Sequence, residues 1–329
     1  MTKWVFRMLA LILTILVVLF VHLLATPGQR TEELEATEKK YHIQIAVQET
    51  DEYFWQLFQK GARDAGEAFD AYIEFVPVLP RDPDALRAMV EQGVNAHADA
   101  IALQAVDVQQ TEDIIAYALD QNVPVVTYES DTYTIPGVPM VSSNSYTTGL
   151  LAGGMAARAA GPDARAAVIL SDAGDENDGQ TKNLIVQGIM EGSANTPGFT
   201  IKTSYVLKTE LFEAEDLRRA LFSKAADINV IICMDERSTP AIAQMLVDEN
   251  RVGDMKIIGY GVMPQTLDYI DRGVIYGSVC PDAYDIGYYT VKDLVDRLDG
   301  VPVSDSYNPE LHLVERSNAA QYRSESDEK

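Results

Sequence analysis

The chain has 329 residues, 47% of them hydrophobic and 23% charged, so it can bury a full core, and its length favours two domains over one. Its 26 basic and 50 acidic side chains leave a formal charge of −24, which sets long-range repulsion against any phosphate backbone and argues against nucleic acid as a partner. Two cysteines, Cys233 and Cys280, are too few for a disulfide framework and lack the paired spacing of a zinc site; both read as buried small hydrophobes.

Lys3 and Arg7 precede a run from Met8 to Ala25 in which only Thr14 and His22 are not apolar, long enough as a helix to nearly span a bilayer core. It reads as an uncleaved membrane anchor. A cleaved signal peptide is the competing reading, although Leu23 would then occupy the −3 position, where a small residue is usual. Either one exports the rest of the chain. Residues 26–40 carry four glutamates with Pro27 and Gly28 and little to bury, so residues 1–40 are an anchor plus a solvated tether.

From Tyr41 short β-rich runs alternate with longer helical stretches, the pattern of βαβ units and a parallel sheet. His42–Val47 is the first strand, and Tyr53–Phe69 a helix with Phe54, Leu57, Phe58, Ala62 and Ala65 on one face. A strand at Tyr72–Val78 precedes a helix with Asp82 as cap and Pro83 at its first position. Ile101–Gln104, a helix Thr111–Gln121, Val123–Tyr128 and an extended Val138–Ser143 complete one doubly wound unit.

The alternation then restarts. Helices Ala152–Ala160, Lys182–Glu191, Ala214–Ala226, Pro240–Asn250 and Gln265–Arg272 are interleaved with strands Ala166–Ser171, Ile201–Val206, Val230–Met234, Lys256–Tyr260 and Val274–Val279. A helix at Tyr284–Leu298 and an extended Leu311–Val314 come next, and the polar stretch 317–329 reads as a disordered tail.

Constellations that carry chemistry do not assemble. Placing Gly179 at the sixth position of a calcium loop puts Gly174 first and Ile185 twelfth, where carboxylates are needed. His22, His42, His97 and His312 show no metal-ligand spacing, and Glu213 with Glu215 sits at a helix start, where acidic residues are favourable for another reason. No phosphate-cradling loop or nucleophile elbow appears, so no catalytic residue, metal or cofactor is assigned.

Several segments carry a resemblance by their order and spacing: Asp51-Glu-Tyr-Phe-Trp55 leading into Lys60-Gly-Ala62, Asn122-Val-Pro-Val-Val126, and Ser143-Asn144 followed by Gly149 and Ala152-Gly153-Gly154. Ile258-Gly259-Tyr260 and the stretch Gly273–Gly287 with Ile286-Gly287-Tyr288 complete the set. Over residues 41–315 the chain resembles the type 1 periplasmic-binding-protein fold of ribose-type sugar receptors and the ligand-binding cores of lac-repressor-like regulators. A membrane segment stands where a repressor would carry its DNA-binding module. The resemblance implies an α/β fold of two doubly wound parallel-sheet lobes joined by a multi-strand hinge, with 41–143 and 282–305 in the first lobe and 144–281 and 306–316 in the second.

In such sheets ligands sit beyond the carboxyl ends of the strands, which in two facing lobes is the cleft. Residues just after the strands are therefore candidates: Gln48, Glu49, Gln104, Glu129, Ser143, Asn144, Asp172, Asp235 and Tyr260. To these the resemblance adds Glu52, a stacking aromatic at Trp55 beside Tyr53 and Phe54, and Asn183. Gln104 and Asp235 stand in for asparagines of the ribose-type receptors. Glu129 and Ser130 replace an aspartate and an arginine, Asn183 replaces an arginine, Gly261 an aspartate, and Pro281 a polar residue of the last crossover. Loss of both bidentate arginines points to a neutral guest, a sugar, rather than an anion. The implied function is capture of a small polar ligand by hinge closure, for delivery to an ABC-type permease or for engagement of a membrane sensor kinase or chemoreceptor.

Overall fold

The computed structural model describes residues 39–48, 53–78, 82–105, 108–129, 135–171, 178–207, 213–223 and 226–323. The expected membrane segment and most of its tether lie outside them, and among the described residues no helix is long and apolar enough to cross a membrane.

The first sheet has the order β11-β5-β4-β3-β1-β2, with β1 Tyr41–Gln48, β2 Ala71–Val78, β3 Ala100–Leu103, β4 Val125–Tyr128, β5 Met140–Val141 and β11 Ser306–Tyr307. All its pairings are parallel. Successive residues of a strand face opposite sides, and β1 shows it: Ile43, Ile45 and Val47 join one apolar cluster and Ala46 the other. On the first side lie α1 Tyr53–Ala68 and α9 Ala283–Leu298; on the second lie α2 Pro83–Asn95 and α3 Val108–Asp120. Asp82 caps α2, accepting the Ala85 amide at 2.9 Å ahead of Pro83, as its sequence dictates.

The second sheet repeats the plan as β12-β10-β9-β8-β6-β7, with β6 Arg165–Ser171, β7 Thr200–Leu207, β8 Val230–Met234, β9 Lys256–Tyr260, β10 Gly277–Pro281 and β12 Leu311–Glu315. Only β12 runs antiparallel. In β8, Val230, Ile232 and Met234 face α4 Ser145–Ala160 and α5 Asp178–Ser193. Ile231 and Cys233 face α6 Glu213–Phe222, α7 Ser238–Asp248 and α8 Pro264–Asp271. Cys233 and Cys280 are both buried as thiols. Burial, followed by the charge of Asp235, pushes the Cys233 thiol far above the usual thiol range.

Each lobe is closed by one intimate helix pair. A Cβ on Gly61 of α1 would lie 2.0 Å from the Tyr284 carbonyl of α9, and one on Gly287 would lie 2.0 Å from that of Phe58. Between α4 and α5 the same is true of Gly149, Gly153 and Gly188 against the carbonyls of Ile185, Ile189 and Tyr146, at 2.1–2.2 Å. The small-residue run Ala152-Gly153-Gly154 is thus a packing surface.

Several expectations shift. The helix foreseen from Ala152 begins at Ser145, because Asn144 already caps it. The extended segment Val138–Ser143 pairs only through Met140–Val141. The strand foreseen at Val274 begins at Gly277, because the amides of Val274 and Ile275 both turn back onto the Tyr269 carbonyl at the end of α8. Residues 306–307, assigned from sequence to the second lobe, pair with Met140–Val141 in the first sheet, so the third passage between lobes falls after Tyr307. The tail foreseen as disordered from 317 folds as far as Arg323. Ala319 is fully buried, residues 319–322 form a 3-10 turn, and Arg323 bridges Asp268 at 2.8 Å and Asp271 at 2.7 Å on α8.

Candidate functional site

Both sheets reverse their strand order between the first strand and the third, at β1/β3 and at β6/β8, and the loops beyond those strand ends are where open α/β sheets bind ligands. The chain passes between lobes after β5, after β10 and between β11 and β12, which brings the two sets of strand ends together.

On the first lobe, Glu129 comes after β4 in the left-handed region, φ +49°, and this bend turns its carboxylate onto the next crossover. One oxygen accepts the Ser143 amide at 2.7 Å and the other the Ser143 hydroxyl at 3.2 Å. Gln104, past β3, donates its side-chain amide to the Glu129 carbonyl at 3.2 Å. From the second lobe Tyr260, at the end of β9, comes near enough for its hydroxyl to feel the charge of Glu129. Burial holds the Tyr260 hydroxyl well above the usual tyrosine range, and the charges of Glu129 and Glu236 push the same way, so it stays protonated. Gln104, Glu129 and Ser143 therefore form one hydrogen-bonded chain at the edge of the first lobe, with Tyr260 of the second lobe near it.

Other candidates have different duties. Asn144 spends its carboxamide oxygen on the Thr147 amide and hydroxyl, at 2.8 and 2.9 Å, capping α4. Asp235 likewise accepts the Ser238 amide at 2.7 Å at the start of α7. Asn183 is exposed on α5. Gln48 closes β1 opposite Val78. Glu49, Glu52 and Asp172 lie outside the described residues, as does the acidic stretch Asp175-Glu176-Asn177 ahead of α5.

The aromatic trio divides. Trp55, expected to stack on a ligand, is 5% exposed and meets Phe54, Phe58 and Tyr128 with ring centroids 5.2, 5.5 and 6.0 Å away, inside the first lobe's core. Helical spacing explains this: Trp55 and Phe58 share the inward face of α1. Phe54 is half-buried, and Tyr53 leans on the apolar cluster of the second lobe.

Glu236 is the residue that strand ends alone do not select. It is 7% exposed in the turn after β8, and its carboxylate accepts the Phe54 amide of the other lobe at 3.1 Å. Taking one residue after each strand selects Asp235, but that side chain is drawn back to cap α7, which leaves the next position to face the cleft. Gly261, where the resemblance implies an aspartate, makes room: a Cβ there would stand 2.7 Å from Glu236 Oε1. Among the described residues no group of three metal-ligating side chains is gathered. What the arrangement offers is fixed acceptors and donors at close range.

Comparison with known proteins agrees with this geometry. Among solved structures, GanP, a glucose-galactose binding protein from Geobacillus stearothermophilus, has 23% identity and a TM-score of 0.73 over 84% of this chain and 98% of its own. A solute-binding protein from Burkholderia graminis in complex with D-arabinose has 18% identity and a TM-score of 0.75, covering 86% and 98%. One from Actinobacillus succinogenes with bound D-allose has 15% identity and a TM-score of 0.75, covering 86% and 100%. These are likenesses of fold. No curated protein matches the chain. The periplasmic binding protein domain matches residues 43–301, and the chain belongs to that family.

Proposed function

We propose that this chain is an extracytoplasmic solute-binding protein that closes about a hinge on a neutral sugar, performs no chemistry on it, and presents it to an ABC-type permease. The observation that carries the reading is that polar groups of both lobes gather at the strand ends: the hydrogen-bonded Gln104, Glu129 and Ser143 of the first, and Glu236 of the second, whose carboxylate accepts the Phe54 amide of the first. A ligand that touches both lobes shifts the open and closed populations by its extra affinity for the closed form. Carboxylate and carboxamide groups at a strand edge suit hydroxyls, because each unpaired polar group sealed from water costs about 1–3 kcal/mol. The sugars named for GanP and for the Burkholderia and Actinobacillus proteins support that ligand class. The family supports an exported location, and the apolar run at Met8–Ala25 supports an N-terminal membrane tether.

The test is thermal unfolding of the full chain against pentoses, hexoses and their alcohols. A true ligand at a hundred times its dissociation constant adds about 2.7 kcal/mol. Tyr260→Phe removes one hydroxyl near Glu129 and should weaken that ligand about tenfold while leaving the unliganded melting temperature nearly unchanged. A panel in which no sugar raises the melting temperature overturns the reading.

A further inference from the structure

A helix begins with backbone N–H groups that no earlier turn can satisfy, and an anion placed there is doubly favoured, by hydrogen bonding and by the helix dipole. Helix α1 has no acidic residue in its first turn. Its Phe54 amide instead finds Glu236 of the opposite lobe, at 3.1 Å. Two further features hold that carboxylate in place. Gly261, φ +75°, sits so close that a Cβ would stand 2.7 Å from Oε1 and 2.9 Å from Cγ, so the side chain is seated against bare backbone. Tyr53, on the same first turn of α1, packs against the second lobe's apolar cluster.

Separating the lobes must therefore break a charge-assisted hydrogen bond, rehydrate a carboxylate that is 7% exposed, and uncover Tyr53. We propose that Glu236 is a clasp: it caps α1 across the cleft and so sets the ratio of closed to open lobes, and with it the apparent affinity of the site. It is a positioning residue, because it acts through α1. The inference rests on the reading of the cleft as a closing site and deepens it. Apparent affinity scales with the fraction of molecules in the competent form, so a weakened clasp weakens every ligand by the same factor.

The experiment needs no ligand. Nitroxide labels at Glu91→Cys on α2 and Glu191→Cys on α5, both exposed positions on different lobes, report the interlobe distance in the full chain while the two buried native thiols stay unlabelled. The unliganded protein should show a close population. Glu236→Ala should lower the ratio of close to distant forms about tenfold or more, and Glu236→Gln, which keeps an oxygen but loses the charge, should fall between. Hydrogen exchange at the Phe54 amide should quicken in the same order. A role confined to folding would move the melting temperature but neither the distance distribution nor that one amide. If Glu236→Ala unfolds, Glu236→Gln decides. A wild-type protein with no close population, or variants with unchanged distances and unchanged Phe54 exchange, overturn the clasp. Because sugar is absent throughout, these outcomes are independent of whether the sugar panel gives a hit.

Discussion

The two lobes share a strand order and a glycine-mediated helix pair, yet the pairs join different kinds of partner. In the second lobe α4 and α5 are neighbours in sequence, separated by β6 alone, and Gly149, Gly153 and Gly188 let two consecutive helices touch backbone to backbone. In the first lobe Gly61 and Gly287 join α1 to α9, and the Tyr284–Asp64 hydrogen bond beside them, 2.8 Å, closes a loop of 220 residues. The second lobe can complete its pair from local chain. The first cannot finish its core until the chain has built the second lobe and returned. The same device serves local packing in one half and long-range closure in the other, where loop entropy weighs against it.

The largest test of this contrast is overpacking. Gly153→Val and Gly287→Val each push a branched side chain into a carbonyl that has no room to retreat, at a cost of about 3 kcal/mol or more. Their signatures should differ. Gly153→Val should expose the Cys233 thiol at denaturant concentrations where Trp55 emission is still native; Gly287→Val should reverse that order. Identical transitions by both probes in both variants would show that the lobes unfold as one unit. Trp55→Ala, which empties a core site between Phe58 and Tyr128, should cost about 3–5 kcal/mol of stability in a denaturant melt. A loss of sugar binding with unchanged stability would instead place Trp55 at the ligand.

Next in size is a pH effect found in the first lobe. Asp293 on α9 is 8% exposed, and burial raises its carboxyl to about 6, with Lys292 opposing and Asp296 adding to the rise. A carboxyl whose folded value lies above its unfolded one stabilises the fold fully below the unfolded value, and that contribution is lost as pH climbs through about 6. Asp293→Asn should therefore stabilise the protein at pH 7 by on the order of 2 kcal/mol relative to wild type and flatten its stability between about pH 4 and 7. Denaturant midpoints across that range check it; an unchanged slope would mean that the carboxyl remains well hydrated. The smallest effect is Arg323→Ala. It removes two partly exposed ion pairs to α8 and should cost less than about 1 kcal/mol, diminishing with added salt.

The features legible in the sequence are the local ones. Alternation placed the strands because each sheet is covered on both faces, and the Asp82-Pro83 cap marked a helix start by its own chemistry. Ser306–Tyr307 escaped because two residues carry no period, and only the neighbouring Met140–Val141 tells them which sheet to join. The polar tail escaped because one fully buried Ala319 and one arginine are enough to pin it. At the site, strand ends pointed to Glu129 and Ser143, whose side chains are hydrogen-bonded to each other. They could not separate Asp235 from Glu236, since which of two adjacent carboxylates caps its own helix is decided by the fold of the turn.

The two thiols have a consequence for how the molecule can be watched. Cys233, fully buried in β8 and held protonated, is inert to alkylating reagents while its lobe stays shut to solvent. Modification of that sulfur thus becomes a stopwatch for rare excursions of the native ensemble, and its rate at low denaturant reads the kinetic lifetime of one half of the protein without any added label.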